Sequence, residues 1–303
     1  MSSGSQPTSP LCVTVIVPVF EDLERLTTCL RCLAAQDYPA DLIEVTVIDN
    51  ASRTDLRSAL PPGDARFRLI REEQRGSYAA RNAGLRAGYG DVVAFTDADC
   101  RPRPNWLRTA VAALAVPEAP DAVGGSIRLF FRDGAEPRTG PELYESAHEF
   151  DQKAFIEWGR FAATANLVVR RSTIELVGPF NAELQSGGDD DWGHRLHDAG
   201  GRLRYCEEAI VDHPARASWR ELTQKTVRVA RGNAQLSAGQ PLVADARHVW
   251  EEITSGLRVW VAVWRRAWPR TATQKLKYAT AYSWVSCLTW VSRVRWRLFP
   301  VRT

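Results

Sequence analysis

Residues 91–100 read DVVAFTDADC. Four apolar residues, Val92 to Phe95, stand between a turn and two carboxylates, Asp97 and Asp99, which only Ala98 separates. A short unbroken apolar run bounded by turn residues predicts a strand buried on both faces. The carboxylates then lie where that strand leaves its sheet, which is where open α/β sheets place ligands. Two Asp side chains one residue apart can both face an oxygen-seeking cation, and Mg²⁺ or Mn²⁺ beside a diphosphate takes such oxygens. The pair alone is equally at home in a solvated turn, so the flanking segments decide.

Upstream, VTVIVP at 13–18 is a β-branched run ending in proline and predicts a buried first strand, followed past Phe20, Glu21 and Asp22 by a helix to about Ala35. No G-x-G-x-x-G follows this strand, so a dinucleotide-binding reading lacks its fingerprint. A second strand at 43–48 ends on Asp49 and Asn50, and a third near 67–70 leads into RGSYAARNAGL. There Gly76 permits a tight entry to a helix carrying Arg81 and Asn82 and running to about Ala87. Strands alternating with helices at this spacing predict a mostly parallel, twisted α/β sheet sandwiched by helices. Three strand ends, at residues 18–22, 49–55 and 97–99, bring polar or acidic groups to one sheet edge, and their convergence predicts a ligand cleft.

Composition narrows the function classes. The 303 residues are 45% hydrophobic, enough for one large domain and an appendage, and a net charge of +3 gives no general attraction for polyanions. No arginine cluster shows the aromatic interleaving that grips nucleic acid, so no nucleic-acid partner is expected. Cys29 and Cys32 form a C-x-x-C inside an apolar helical pattern, with no second pair or nearby His, and read as buried free thiols. Residues 1–10, MSSGSQPTSP, lack basic and apolar signal regions and read as a disordered lead-in, which points to a cytoplasmic protein.

The second half has a different pattern. A short strand is expected at 165–169, then the turn VGPF, then SGGDDDWGHRLHDAGG at 186–201. Two glycines before Asp189, Asp190 and Asp191 suggest close backbone approach to a ligand at a helix start, although acids there also suit the helix dipole. Short strands at 203–205 and 209–211 lead to His213, a structural residue or, given Asp97 and Asp99, a metal ligand.

Taken together, VIVPVFED, VIDNASRTD, RGSYAARNAG, AFTDADC, ANLVVRR with VGPF, SGGDDDWGHRLHDAG and VDHP resemble a family 2 glycosyltransferase of the GT-A fold over residues 11–215. The resemblance implies an inverting transfer from a nucleoside-diphosphate sugar, with UDP-sugars favoured, to a glycan or lipid-linked acceptor. It implies that Pro18, Phe20, Glu21, Asp49 and Asn50 border base and ribose, and that Arg81 and Asp97 serve the ribose or diphosphate side. Asp99, with His213, would hold Mn²⁺ or Mg²⁺, and Asp189 would be the base that deprotonates the acceptor. Arg228 and Arg231, in VRVARG, resemble the basic residues that relatives place over the diphosphate. One departure stands out: many relatives carry Glu just before the base, where this chain has Gly188. A nucleotidyltransferase would share the fold class but needs a glycine-rich loop after the first strand, and a degenerate scaffold would not need four intact acids.

Residues 216–303 lie beyond the resemblance and read as helical, rich in Trp and Arg. Trp250, Ile253, Leu257, Trp260, Val261, Trp264 and Trp268 fall on one helical face, with Arg258, Arg265 and Arg266 off it. Residues 278–292 are uncharged but too few to span a bilayer. This predicts a peripheral contact of residues 250–300 with the inner face of the membrane, or packing in a homo-oligomer.

Overall fold

The computed structural model describes residues 11–298 except 117, 149 and 237–241, and the side chains of 242–253 and 297–298 are also outside the described set; the expected lead-in at 1–10 therefore lies outside the described residues. In chain order the elements are β1 (Val13–Val19), α1 (Leu23–Ala34), β2 (Ile43–Asp49), β3 (Phe67–Arg71), α2 (Ser77–Ala87) and β4 (Val92–Phe95). They continue with β5 (Arg101–Pro102), α3 (Trp106–Leu114), β6 (Ala122–Phe130), α4 (Gly140–His148), α5 (Gln152–Glu157) and β7 (Leu167–Arg170). The last are α6 (Arg171–Val177), α7 (Gly188–Asp198), β8 (Leu203–Pro214), α8 (Trp219–Leu236), α9 (Leu242–Arg265) and α10 (Ala272–Leu298).

One sheet carries the order β3-β2-β1-β4-β7-β6-β8-β5. The first four strands are parallel, with β1, β2 and β4 almost wholly buried and β3 the half-exposed edge; β7 then runs antiparallel to both β4 and β6, so the second half is mixed. Successive side chains of a strand point to opposite faces, and the core divides accordingly. Val13, Val15, Val17, Val92 and Ala94 join the cluster under α1 and α3. Ile16, Val93 and Phe95 join the other, with residues of α2 and α7.

The chain runs from β1 to β2 and β3 on one side, then returns to lay β4 on the other side of β1. The carboxyl ends of β1 and β4 thus flank a topological switch point, the place where open sheets leave a crevice. That puts Pro18 and the Asp97–Asp99 turn at one cleft.

β6 was not expected from the sequence, because Gly124 and Gly125 interrupt its apolar run and glycine pairs read as turns. Both are needed for packing: a Cβ on Gly124 would lie 2.6 Å from Ile156, and one on Gly125 2.5 Å from the Asn166 amide. The two short strands expected near 203–211 are one strand, β8, whose register against β6 shifts between Gly125 and Ser126.

The C-terminal helices pack on α4: Leu143 is buried with Val259 and Val263 of α9 and with Tyr278 and Ala279 of α10. The apolar face expected to meet a membrane or another copy of the chain is, for its described residues, largely the outer one. Leu257, Trp260, Val261 and Trp264 are 69%, 40%, 64% and 50% exposed, while Val259 and Val263 point inward. No helix is long and apolar enough to cross a membrane among the described residues.

Candidate active site

A cleft of about 570 Å³ opens at the switch point, within the size range of small-molecule sites. Pro18 and Phe20 line it from the end of β1, Asn50 from β2, Arg81 from α2, and Asp97 and Asp99 from the turn after β4. Asp189 enters from the start of α7, His213 from β8 and Arg228 from α8. Residues spread over two hundred positions of sequence thus meet in one place.

Asp97 accepts a hydrogen bond from Arg81 at 2.5 Å, and Arg81 itself is buried. This fixes one carboxylate of the pair. The other, Asp99, has its Oδ1 3.8 Å from Nε2 of buried His213. His213 Nδ1 lies 2.8 Å from the Pro214 carbonyl, an acceptor only, so Nδ1 carries a proton and Nε2 is the ring nitrogen that faces Asp99. Ligand atoms of Asp97, Asp99, Cys100 and His213 lie within 4.8 Å of one another. Cys100 is fully buried, and burial together with Asp99 and Asp97 pushes its thiol well up, so it stays protonated. A carboxylate with an imidazole, open to further oxygen donors, fits a divalent cation such as Mn²⁺ or Mg²⁺.

Asp189 follows Gly187, whose φ of 79° is the left-handed turn that glycine tolerates. The Tyr78 hydroxyl donates to Asp189 Oδ1 at 3.2 Å. Burial and Asp189 push the Tyr78 phenol far up, so it remains a donor. The Gly188 departure has a physical reason here: a Cβ at 188 would lie 2.7 Å from the Tyr78 ring. Asp190 also lines the cleft but faces His194 Nδ1 at 3.2 Å. Its carboxyl is pushed up, first by burial and then by Asp189 and Asp191, against the opposing pull of His194.

Other expected residues take different places. Asn50 is a staple: its amide donates to the Gln74 carbonyl and accepts from Gly76 N, each at 2.7 Å, which orders the entry to α2. The Asp49 carboxylate, buried behind the cleft, accepts from Ser52 N and from Arg71. Glu21 is not among the lining residues; its carboxylate turns away to Arg53 N at 2.7 Å and Thr54 Oγ1 at 2.8 Å. Arg231 is not among them either, because its guanidinium sits 5.0 Å over the Trp296 ring. Arg228 lines the cleft with its side chain exposed, and desolvation by the cleft walls, then Arg216, lower its proton affinity.

Sequence reasoning missed Tyr78, Arg216, Lys225 and the aromatic wall of Phe150, Phe155 and Phe161, all of which line the cleft. Only Tyr78 stood inside a quoted motif, and nothing in its local pattern tied it to Asp189.

Comparison with known proteins agrees with this architecture. The family model "Glycosyl transferase family 2" matches residues 14–177. Glycosyltransferase AglE of Haloferax volcanii is 37% identical over 228 residues, covering 74% of this chain and 73% of the relative. The pre-mycofactocin glycosyltransferase of Mycobacterium tuberculosis is 30% identical over 239 residues, 76% of this chain but 48% of the relative, so the chain spans about half the length of that protein. Among solved structures, mannosyltransferase PcManGT from Pyrobaculum calidifontis, in complex with GDP-Man and Mn²⁺, superposes with a TM-score of 0.63 at 21% identity over 98% of this chain and 89% of that one.

Proposed function

The chain belongs to glycosyl transferase family 2, and on that premise we propose that it moves a sugar from a nucleoside-diphosphate sugar to an acceptor hydroxyl with inversion. The observation that carries this reading is the meeting, in one cleft, of the Asp97–Asp99–His213 group with Asp189 on a separate element. Donor and base functions need such a separation, because the attacking oxygen and the leaving diphosphate occupy opposite sides of the sugar carbon.

Pro18 and Phe20 border the base and ribose, with Asp49 and Asn50 shaping the wall behind them. Asp99 and His213 Nε2 would hold Mn²⁺ or Mg²⁺, which, when bound, neutralises charge developing on the departing diphosphate. Arg81 orients Asp97, and Arg228 faces the same region as a fixed cation. Asp189 keeps one oxygen on the Tyr78 hydroxyl and offers the other to the acceptor. As the acceptor oxygen bonds to the anomeric carbon, its proton passes to Asp189, while the carbon–phosphate-oxygen bond breaks and its electron pair leaves with the diphosphate.

The acceptor in this reading is a glycan or lipid-linked hydroxyl at the inner face of a membrane. Residues 254–296 contain Arg258, Arg265, Arg266, Arg270, Lys275, Lys277, Arg293 and Arg295 and no Asp or Glu. The exposed stripe of Leu257, Trp260, Val261 and Trp264 therefore lies on a stretch of chain whose charged residues are all basic, which suits an anionic lipid surface.

Titration calorimetry with UDP, GDP and dTDP, with and without MnCl₂ or MgCl₂, tests the central reading. Binding of one nucleotide should require the metal, and Asp99→Ala should abolish that requirement together with most of the affinity. Undiminished metal-dependent binding by Asp99→Ala would refute the assignment.

A further inference from the structure

A carboxylate taken out of water is costly unless charge and hydrogen bonds replace its hydration. Glu145 on α4 is fully buried, and its partners are two cations of the cleft. Its Oε2 accepts from the Arg216 backbone N–H at 2.7 Å, and its Oε1 accepts from Arg216 Nη1 at 2.8 Å and from Lys225 Nζ at 3.3 Å. Burial pushes this carboxyl up, but Lys225 and Arg216 outweigh it and hold it below the usual range, so it is ionised.

The two cations come from different elements. Arg216 stands two residues beyond β8, and Lys225 lies within α8. Lys225 Nζ lies 5.4 Å from the centre of the Phe150 ring, which packs 4.4 Å from the His213 ring beside Asp99. Arg228 and Arg81 share the same cleft, and Arg216 and Arg81 both lower the proton affinity of Arg228, a measure of cation–cation repulsion. Left to themselves, such cations spread into solvent. A buried anion behind them keeps them gathered, and α4 is firmly seated, since its Leu143 is buried against α9 and α10.

We propose that Glu145 is a positioning residue that presets Arg216 and Lys225 as a second pair of cations facing the departing diphosphate. The proposal rests on the donor-site reading of the cleft. Glu145 does not touch substrate; it acts through the geometry of the two side chains it holds. Preorganised cations lose no reorganisation energy as charge develops, which is the condition for strong electrostatic assistance.

Glu145→Gln separates positioning from charge. Charge alone predicts tighter diphosphate binding, because an anion near the cleft is removed. Positioning predicts the opposite: about tenfold weaker binding of GDP or UDP with MnCl₂, roughly one charge-assisted hydrogen bond, while GMP or UMP binding stays within about twofold. A generally damaged fold would lower both affinities together, so the diphosphate-to-monophosphate ratio is the readout. Equal or tighter diphosphate binding, or a parallel loss for both nucleotides, overturns the proposal. Should Glu145→Gln not fold, Lys225→Gln must lower the same ratio, and an unchanged ratio overturns the proposal equally. A wild-type protein that binds no nucleoside diphosphate overturns the donor-site reading as well, whereas a wild type that binds beside an unaffected variant overturns this inference alone.

Discussion

Asn166 is the most informative position for a test of how the fold holds its site. It is fully buried between β6, β8 and α3. Its side-chain oxygen accepts from Trp106 Nε1 at 2.8 Å, and its amide donates to the carbonyls of Ser126 at 2.8 Å and Ala209 at 2.9 Å. Those carbonyls lie where the β6–β8 register shifts, so the amide bridges the interrupted ladder. Asn166→Leu has nearly the same shape, yet it leaves three buried polar groups without these partners. Each such group costs ~1–3 kcal/mol, and the added apolar burial returns ~1–2 kcal/mol. The net loss is about 1–8 kcal/mol, a large part of the ~5–15 kcal/mol typical of folded domains. Urea denaturation followed by fluorescence reads it as a lower midpoint at unchanged slope. Because β8 carries His213, metal-dependent nucleotide binding should weaken in the same variant even where it is fully folded. A stability loss under ~1 kcal/mol would refute the reasoning, since it would mean the three groups find other partners.

Three further predictions follow from the site and its supports. Asp189→Asn keeps shape and nucleotide affinity but loses proton acceptance, so kcat should fall by roughly 10²-fold or more while Asp190→Asn, whose side chain faces His194, stays milder; the reverse ranking in steady-state kinetics would move the base to Asp190. Glu145 binds its proton more weakly folded than unfolded, so its contribution to stability is complete above about pH 4.3 and is lost as pH falls through the lower folded value. Melting curves of wild type and Glu145→Gln should therefore differ at pH 7 and draw together in acid, and a gap that does not narrow as the pH falls would contradict the ion-pair account. Co-sedimentation with anionic liposomes should fall for Leu257→Ser with Trp264→Ser and weaken but survive in high salt, because screening removes only the charge contribution. Unchanged sedimentation, or a salt-stable dimer whose formation the same pair of substitutions abolishes, would assign that face to protein instead.

The parallel half of the sheet was legible because its central strands, β1, β2 and β4, are buried on both faces and so write their character into consecutive residues. β1, β2 and β4 lie within a residue of their expected bounds, and Asp97, Asp99, Asp189 and His213 do meet in one cleft. β6 was not legible, since its two glycines answer to Ile156 and Asn166, which are distant in sequence. Glu21 and Arg231 were named from motif position, yet the 53–54 turn and Trp296 draw their side chains elsewhere. The apolar stripe of α9 was visible as a stripe, but periodicity carries no information on whether it faces inward; Val259 and Val263, packing on Leu143, turn it out. Glu145 shows the limit most clearly. Its own segment, GPELYESAH, is an ordinary helix, and the pairing with Arg216 and Lys225 spans 71 and 80 residues. Local sequence determines which backbone a segment adopts and which residue types it offers, whereas long-range packing alone decides which of those groups meet, because that choice depends on energies shared between segments that carry no mark of each other.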